Sequence, residues 1–305
     1  MTTATPIVHA HDALERPDWL PLGRWPFSLR RYEHRSAGQD PMVIHYTDEG
    51  DGPILVFVHA GMWSFIWRDV IAELRTEFRC ITLDFPGAGL SGGAPADVDL
   101  QTFPSIVNGL LDHLDVGSAT FVVHDLGGVV GVVAAGQRPE RVEGMVATNS
   151  FAWPPEGRAL KVMLGIMGSR LAIGLLGTFR IIPRASRSTF GVGRHYGDGD
   201  RDAFFGPYRT RTLSRNFHRA MRSARRSTAM FEQAATALGS NIAHLPVLTV
   251  FGEKNDPFGF ADHWHDHFPS AKGWTVPRGN HFPMCDDPTG YTEHLRTWYR
   301  SEVAR

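Results

Sequence analysis

Cysteine is scarce in this chain, with two in 305 residues. That is too few for a disulfide framework, so Cys80, in an expected strand, and Cys285, in a late loop, read as structural thiols in a reducing compartment. Long hydrophobic runs are also missing. The most apolar stretch, Leu160 to Phe179, is broken by Lys161 and Arg170 and falls short of the roughly 18 uncharged residues of a membrane span. The opening segment MTTATPIVHAHDALERPDW has neither the basic start nor the continuous apolar stretch of a secretory signal. A cytoplasmic protein with no membrane partner is therefore expected. Charge of one sign is absent as well: 31 Lys and Arg oppose 32 Asp and Glu, for a net charge of -1. Nothing so balanced calls for nucleic acid. Arginines do crowd between Arg180 and Arg226, which reads as a solvated helix surface with a local basic face.

What is present is a strand-helix rhythm. MVIHYTDEGDG and PILVFVHAG read as two strands joined by a turn, the second an unbroken apolar run of the kind buried in parallel sheets. Helix FIWRDVIAELRTEF, strand RCITLDFPGAGLS, helix FPSIVNGLLDHLDV, strand ATFVVHD, a small-residue helix and strand RVEGMVATNS follow in alternation. The pattern predicts an α/β fold with a doubly wound, mostly parallel sheet. From Phe151 to Asn241 the rhythm gives way to helical patterns, including ALKVMLGIMGSRLAIGLLGTF and RNFHRAMRSARRSTAMFEQAATAL. It resumes with LPVLTVFGE, GWTVPRGNH and a terminal helix TGYTEHLRTWYRSEV. The expected organisation is a core in two parts, residues 1–150 and 242–305, with an inserted helical cap at 151–241 placed over the strand ends where open α/β sheets bind ligands.

Three chemistry-bearing residues fall at predicted strand ends, in the chain order nucleophile, acid, histidine that this architecture uses. Asp125 stands in HDLGG, at a strand-to-helix corner. Asp256 lies in GEKNDPF, with Glu253 as an alternative acid, and His281 in RGNHFPM. Each has an ordinary reading alone: Asp125 as a helix cap, Asp256 as a turn former, His281 as a surface residue. Their joint order and context point to catalysis. GAGLSGG lacks the lysine of a phosphate-binding loop. HWHDHF, from His263 to Phe268, puts histidines on different helix faces, so no metal is expected.

These residues give the chain a resemblance to the α/β-hydrolase superfamily, and within it to the aspartate-nucleophile branch of haloalkane dehalogenases and epoxide hydrolases. HDLGG, the WSFIWRDVIAELRTEFRCITLDFPGAGLS segment, the Trp-Pro of NSFAWPP, Tyr208-Arg209 and HFPMCDDP carry it. The resemblance implies a cofactor-free hydrolase acting on a small apolar substrate. Asp125 attacks a saturated carbon, His281 serves as general base for water and Asp256 orients His281. The amides of Leu126 and of Gly61 or Met62 then form the oxyanion hole. The tryptophan that dehalogenases place after the nucleophile is Leu126 here, and their asparagine after the second core strand is missing from HAGMWSF. Trp63 and Trp153 are candidate replacements as halide donors. Tyr208 is the candidate acid for the alternative, epoxide opening; Tyr196 is a poor match for a second. A ligand-binding, cyclase or lyase member of the fold is the non-hydrolytic alternative.

Overall fold

The computed structural model describes residues 13–35, 40–91, 99–154, 158–189 and 191–304. Its sheet has eight strands: β1 (Arg30–His34), β2 (Met42–Glu49), β3 (Ile54–Ala60), β4 (Arg79–Leu83), β5 (Ala119–Asp125), β6 (Val142–Ser150), β7 (Val247–Gly252) and β8 (Lys272–Val276). They lie in the order β1-β2-β4-β3-β5-β6-β7-β8. Pairing is parallel from β4 to β8, whereas β1 and β2 run antiparallel at one side. The central strands β3 and β5 are apolar along nearly their whole length because helices cover both faces. β1 had no apolar signature in the sequence: RRYEH at the sheet edge exposes its charged residues and buries Tyr32 and His34.

Helices α1 (Arg68–Leu74), α2 (Phe103–His113) and α3 (Gly127–Gln137) pack beside the first strands. α3 is buried almost all round, and its composition permits that. A Cβ on Gly127 would strike the Val58 carbonyl, and one on Gly128 the Phe151 main chain. The two glycines let the helix start press directly on the ends of β3 and β6.

Among the described residues six α-helices separate β6 from β7: α4 (Arg158–Met167), α5 (Arg170–Thr178), α6 (Ile181–Arg187), α7 (Asp198–Phe205), α8 (Arg211–Arg226) and α9 (Thr228–Thr236). The long pattern from Ala159 to Phe179 is not one helix. It bends by 61° between α4 and α5, where Gly168 presses against the main chain of Arg222 and the Ser169 hydroxyl accepts the Ala172 amide at 3.0 Å. After β7 come α10 (Phe260–His267), α11 (Pro283–Asp286) and α12 (Pro288–Trp298). No single described helix is long and apolar enough to cross a membrane.

Gly127→Ala is expected to lower unfolding stability by about 1–3 kcal/mol through overpacking. Gly174→Ala, in α5 with nothing within 4 Å of an added Cβ, should raise it by about 0.5–1 kcal/mol. Urea denaturation of both variants checks the pair, and equal effects would contradict this packing.

Candidate active site

Asp125 is the last residue of β5, and its backbone is left-handed, with φ 51°. Such a conformation is uncommon for a side chain with a Cβ and turns the carboxylate out of the sheet at the start of α3, whose N-terminal dipole favours an anion. The β3–β5 register pairs Ala60 with Asp125. The residues that follow, Gly61-Met62 on one strand and Leu126 on the other, therefore stand side by side. Gly61 has φ 106°, and Met62 and Leu126 both line a cavity of about 290 Å³ that also contains Asp125.

His281 reaches the same cavity from the loop between β8 and α11. Its Nε2 lies 3.8 Å from Asp125 Oδ2. His124, directly before Asp125, donates from Nε2 to the His281 carbonyl at 2.9 Å. Burial, reinforced by the neighbouring His281, pushes the His124 imidazole down to about 3, so it is neutral and fixes the loop as an uncharged strut. The Asn280 amide adds a second tether by donating to Asp286 Oδ2 at 2.5 Å.

The third position is where the structure departs from the sequence expectation. Asp256 does not meet His281. Its two carboxylate oxygens accept the Phe260 and Ala261 amides at 2.7 and 2.9 Å, capping the start of α10, because that helix has unsatisfied donors at its N-terminus. Glu253 accepts the Arg278 amide and is likewise engaged elsewhere. The partner of His281 Nδ1 is Asn255 Oδ1, at 3.0 Å.

A short chain of amides determines how that contact is used. The Gly252 amide donates to Asn149 Oδ1 at 2.7 Å, so Asn149 presents its Nδ2 to Asn255, giving bonds to the Asn255 carbonyl at 2.8 Å and to its Oδ1 at 2.9 Å. Asn255 Oδ1 is thereby an acceptor, and neutral His281 must carry its proton on Nδ1. The Nε2 lone pair then faces Asp125. Asn149 itself has φ 37° at the end of β6, a conformation asparagine tolerates better than most residues.

The three aromatic substrate-binding candidates stay outside the cavity lining. The Trp63 indole donates to the Phe204 carbonyl at 2.8 Å, and its ring stacks on Phe65, pinning α7 to the core. Trp153 packs among Phe260, His263, Trp264 and His267. The Tyr208 hydroxyl donates to Met62 Sδ at 3.5 Å, and burial drives its acidity far below that of an ordinary phenol. Tyr196 contacts Cys285 Sγ, also buried. The lining is instead mainly methionine and phenylalanine, with Asp125, Asn149, Ser186, Asn255 and His281 as its polar members. Among the described residues no group of three or more His, Cys, Asp or Glu is placed to hold a metal ion.

Behind the site, buried Asp84 accepts the Ser64 amide and hydroxyl, the Leu90 amide and His45 Nδ1. Burial alone would raise its pKa, yet His45 and His59 hold it well below the usual carboxylate range. Gly87 to Ser91 folds around this carboxylate, with the Gly87 amide on the Ser91 carbonyl at 2.9 Å; Gly92 and Gly93 lie outside the described residues.

The architecture agrees with what comparison with known proteins finds. A family model described as alpha/beta hydrolase fold matches residues 53–288. The chain belongs to that family, and it resembles haloalkane dehalogenases. Haloalkane dehalogenase 2 of Mycobacterium tuberculosis is 34% identical over 149 residues, 48% of this chain and 50% of the relative, so the chain spans about half the length of that relative. Cis-3-alkyl-4-alkyloxetan-2-one decarboxylase of Xanthomonas campestris is 28% identical over 284 residues, covering 86% and 92% of the two chains. The solved haloalkane dehalogenase DbeA from Bradyrhizobium elkani superposes with a TM-score of 0.73 at 20% identity, covering 90% of this chain and 98% of the other, a likeness of fold.

His124 takes up a proton in the unfolded chain near pH 6.5 but in the folded protein only near 3. Its contribution to stability is complete above pH 6.5 and declines as pH falls toward 3, at about 1.4 kcal/mol per pH unit. Thermal unfolding from pH 7 to 4 should be less pH-dependent in His124→Gln than in the parent. Parallel curves would exclude His124 as a contributor.

Proposed function

We propose that the protein is a hydrolase that displaces a leaving group from a saturated carbon through an alkyl ester on Asp125. The observation that carries this reading is the placement of the Asp125 carboxylate, in left-handed backbone at the strand end, 3.8 Å from His281 Nε2 in an apolar cavity. A carboxylate displaces a leaving group from an sp3 carbon and leaves an ester that water can cleave, whereas serine would leave a stable ether. In the second half-reaction neutral His281 takes a proton from water at Nε2 as the water oxygen adds to the Asp125 carbonyl carbon; collapse breaks the bond from that carbon to the alkyl oxygen, the alkoxide leaves as an alcohol with the proton from His281, and Asp125 loses its proton to solvent. The amides of Met62 and Leu126 receive the developing oxyanion.

The amide at position 255 shapes the kinetics. Replacing the orienting acid of a triad by an amide costs rate both by favouring the wrong tautomer and by removing a negative charge from beside the imidazolium. Here Asn149 preserves the tautomer by holding Asn255 Oδ1 as acceptor, and only the charge is missing. Ester hydrolysis is accordingly the slow half-reaction, and the covalent enzyme accumulates. Asn255→Asp should shorten the lifetime of this adduct about tenfold or more, as read by intact-protein mass spectrometry after mixing with a brominated alkane. An unchanged lifetime would show that the third position does not act on His281.

A second reading is favoured by the cavity wall, which among the described residues has no tryptophan or tyrosine. A strained oxetan-2-one ring needs no external donor for a departing halide. Attack of Asp125 on ring carbon 4 breaks the ring C–O bond and frees a carboxylate; loss of carbon dioxide then forms the alkene and expels Asp125, with no water consumed. One experiment separates the two. A single turnover in heavy-oxygen water leaves the isotope in the Asp125 carboxylate for ester hydrolysis and leaves it unlabelled for decarboxylation. Asp125→Asn should reduce product formation roughly 10³-fold or more in either case, and substantial activity in that variant would eliminate both.

A further inference from the structure

Nine large hydrophobic side chains are exposed among the described residues, and seven of them, Val162, Met163, Ile166, Leu171, Leu175, Phe179 and Ile181, lie in one stretch of the helical cap. Val162 and Ile166 are one turn apart on α4, as are Leu171 and Leu175 on α5, so each helix presents an apolar ridge. The opposite sides of both helices pack on α8, through Gly168 against Arg222 and Gly177 against Arg215. The ridges therefore face outward, and among the described residues they have no covering element.

The charge around them is segregated. Residues 158–187 carry six Lys or Arg and residues 209–226 carry seven, with no Asp or Glu in either stretch, although the whole chain is nearly neutral. The three acids in between are engaged: Asp200 binds Arg24 and Arg68, Asp202 binds Arg187, and Asp198 lies near Arg201. On α8, Arg211, Arg215, Arg219, Arg222 and Arg226 recur at three- and four-residue spacing, forming a stripe. This stripe adjoins the apolar ridges directly: Arg222 Nε donates to the Gly168 carbonyl at 2.8 Å and Arg215 to Thr178 Oγ1 at 2.9 Å. Arg170, Arg225 and Arg226 are exposed.

From this juxtaposition we propose that the outer face of α4 and α5, with its arginine fringe, docks on the surface of an anionic lipid bilayer. Neither α4 nor α5 alone has the roughly 20 residues needed to cross, and a 61° bend separates them. Short amphipathic helices with cations beside an apolar face lie in the interfacial plane instead, where aliphatic side chains enter the acyl boundary and arginines meet phosphate. A second copy of the chain is a poor occupant, since a two-fold contact through this face would bring the two arginine fringes together. The same helices also wall the active-site cavity. Leu164 and Met167 line it from within, and Met163, 39% exposed, belongs both to the lining and to the outer ridge. Met163 thus joins the cavity lining to the docking face. Supply of an apolar substrate from the bilayer rests on reading that cavity as the substrate site; docking does not.

The test is co-sedimentation with vesicles of phosphatidylcholine containing about 30% phosphatidylglycerol, against pure phosphatidylcholine. The full chain should bind the anionic vesicles and not the neutral ones, and should be released at about 0.5 M salt. Leu171→Ser/Leu175→Ser/Phe179→Ser, all exposed positions outside the cavity lining, should bind about tenfold more weakly, as should Arg225→Gln/Arg226→Gln. Both variants should keep the thermal midpoint of the parent. The proposal is overturned by any of three results: no binding to anionic vesicles, undiminished binding by the triple-serine variant, or a solution dimer that this variant abolishes. Polyglutamate that binds as tightly to the triple-serine variant as to the parent, and displaces vesicles from both, would identify an acidic polypeptide as the occupant and also overturn it.

Discussion

One hydrogen bond, from the Gly252 amide to Asn149 Oδ1, orders the polar side of the cavity. It decides which end of the Asn149 amide faces Asn255, Asn255 in turn decides which imidazole nitrogen holds the proton, and the remaining nitrogen is the one presented to Asp125. The donor is main chain at the end of β7 and the acceptor is side chain at the end of β6, so the sheet itself sets the protonation pattern of the histidine. Buried polar groups joined in this way behave as a unit, because each bond fixes the donor or acceptor role of the next. The corner at Asp125 supplies the other half of the arrangement. Two glycines bring α3 against the strands, and the left-handed residue before it points its side chain into the space left over.

The placing of Asp125 and His281 on one cavity was legible because they follow strands whose apolar runs are unmistakable. Asp125 follows a buried run in β5, and the seven-residue β3 beside it ends at the loop bearing Met62. The third member was not legible. Loops after strands have no periodicity from which to read a side chain's direction, and a histidine's expected partner is a charged acid, whereas here the neutral neighbour Asn255 takes that place. Asp256 had a competing use, since the start of α10 offered two amides to a carboxylate. Asn149 and His124 were missed for a related reason: both lie inside strands, where a polar residue looks like any other buried exception until its partners are seen.

The aromatic residues failed as predictors in an instructive way. Trp63, Trp153 and Tyr208 occupy sequence positions near the expected site, yet each spends its polar atom or its ring on joining the cap to the core or filling the space beneath it. What they leave for the cavity is a wall of thioethers and phenyl rings. Those side chains adapt to shape but donate no hydrogen bonds, so selectivity in this pocket is set by volume and apolar contact more than by polar recognition.

The amide at position 255 also bears on the charge of the cavity lining. Among the described residues Asp125 is the only carboxylate of the cavity lining. A triad completed by aspartate would keep a second fixed negative charge at the pocket floor throughout the cycle. With an amide at position 255 the described lining holds one carboxylate, so a bond formed to the Asp125 oxygen would leave that lining with none.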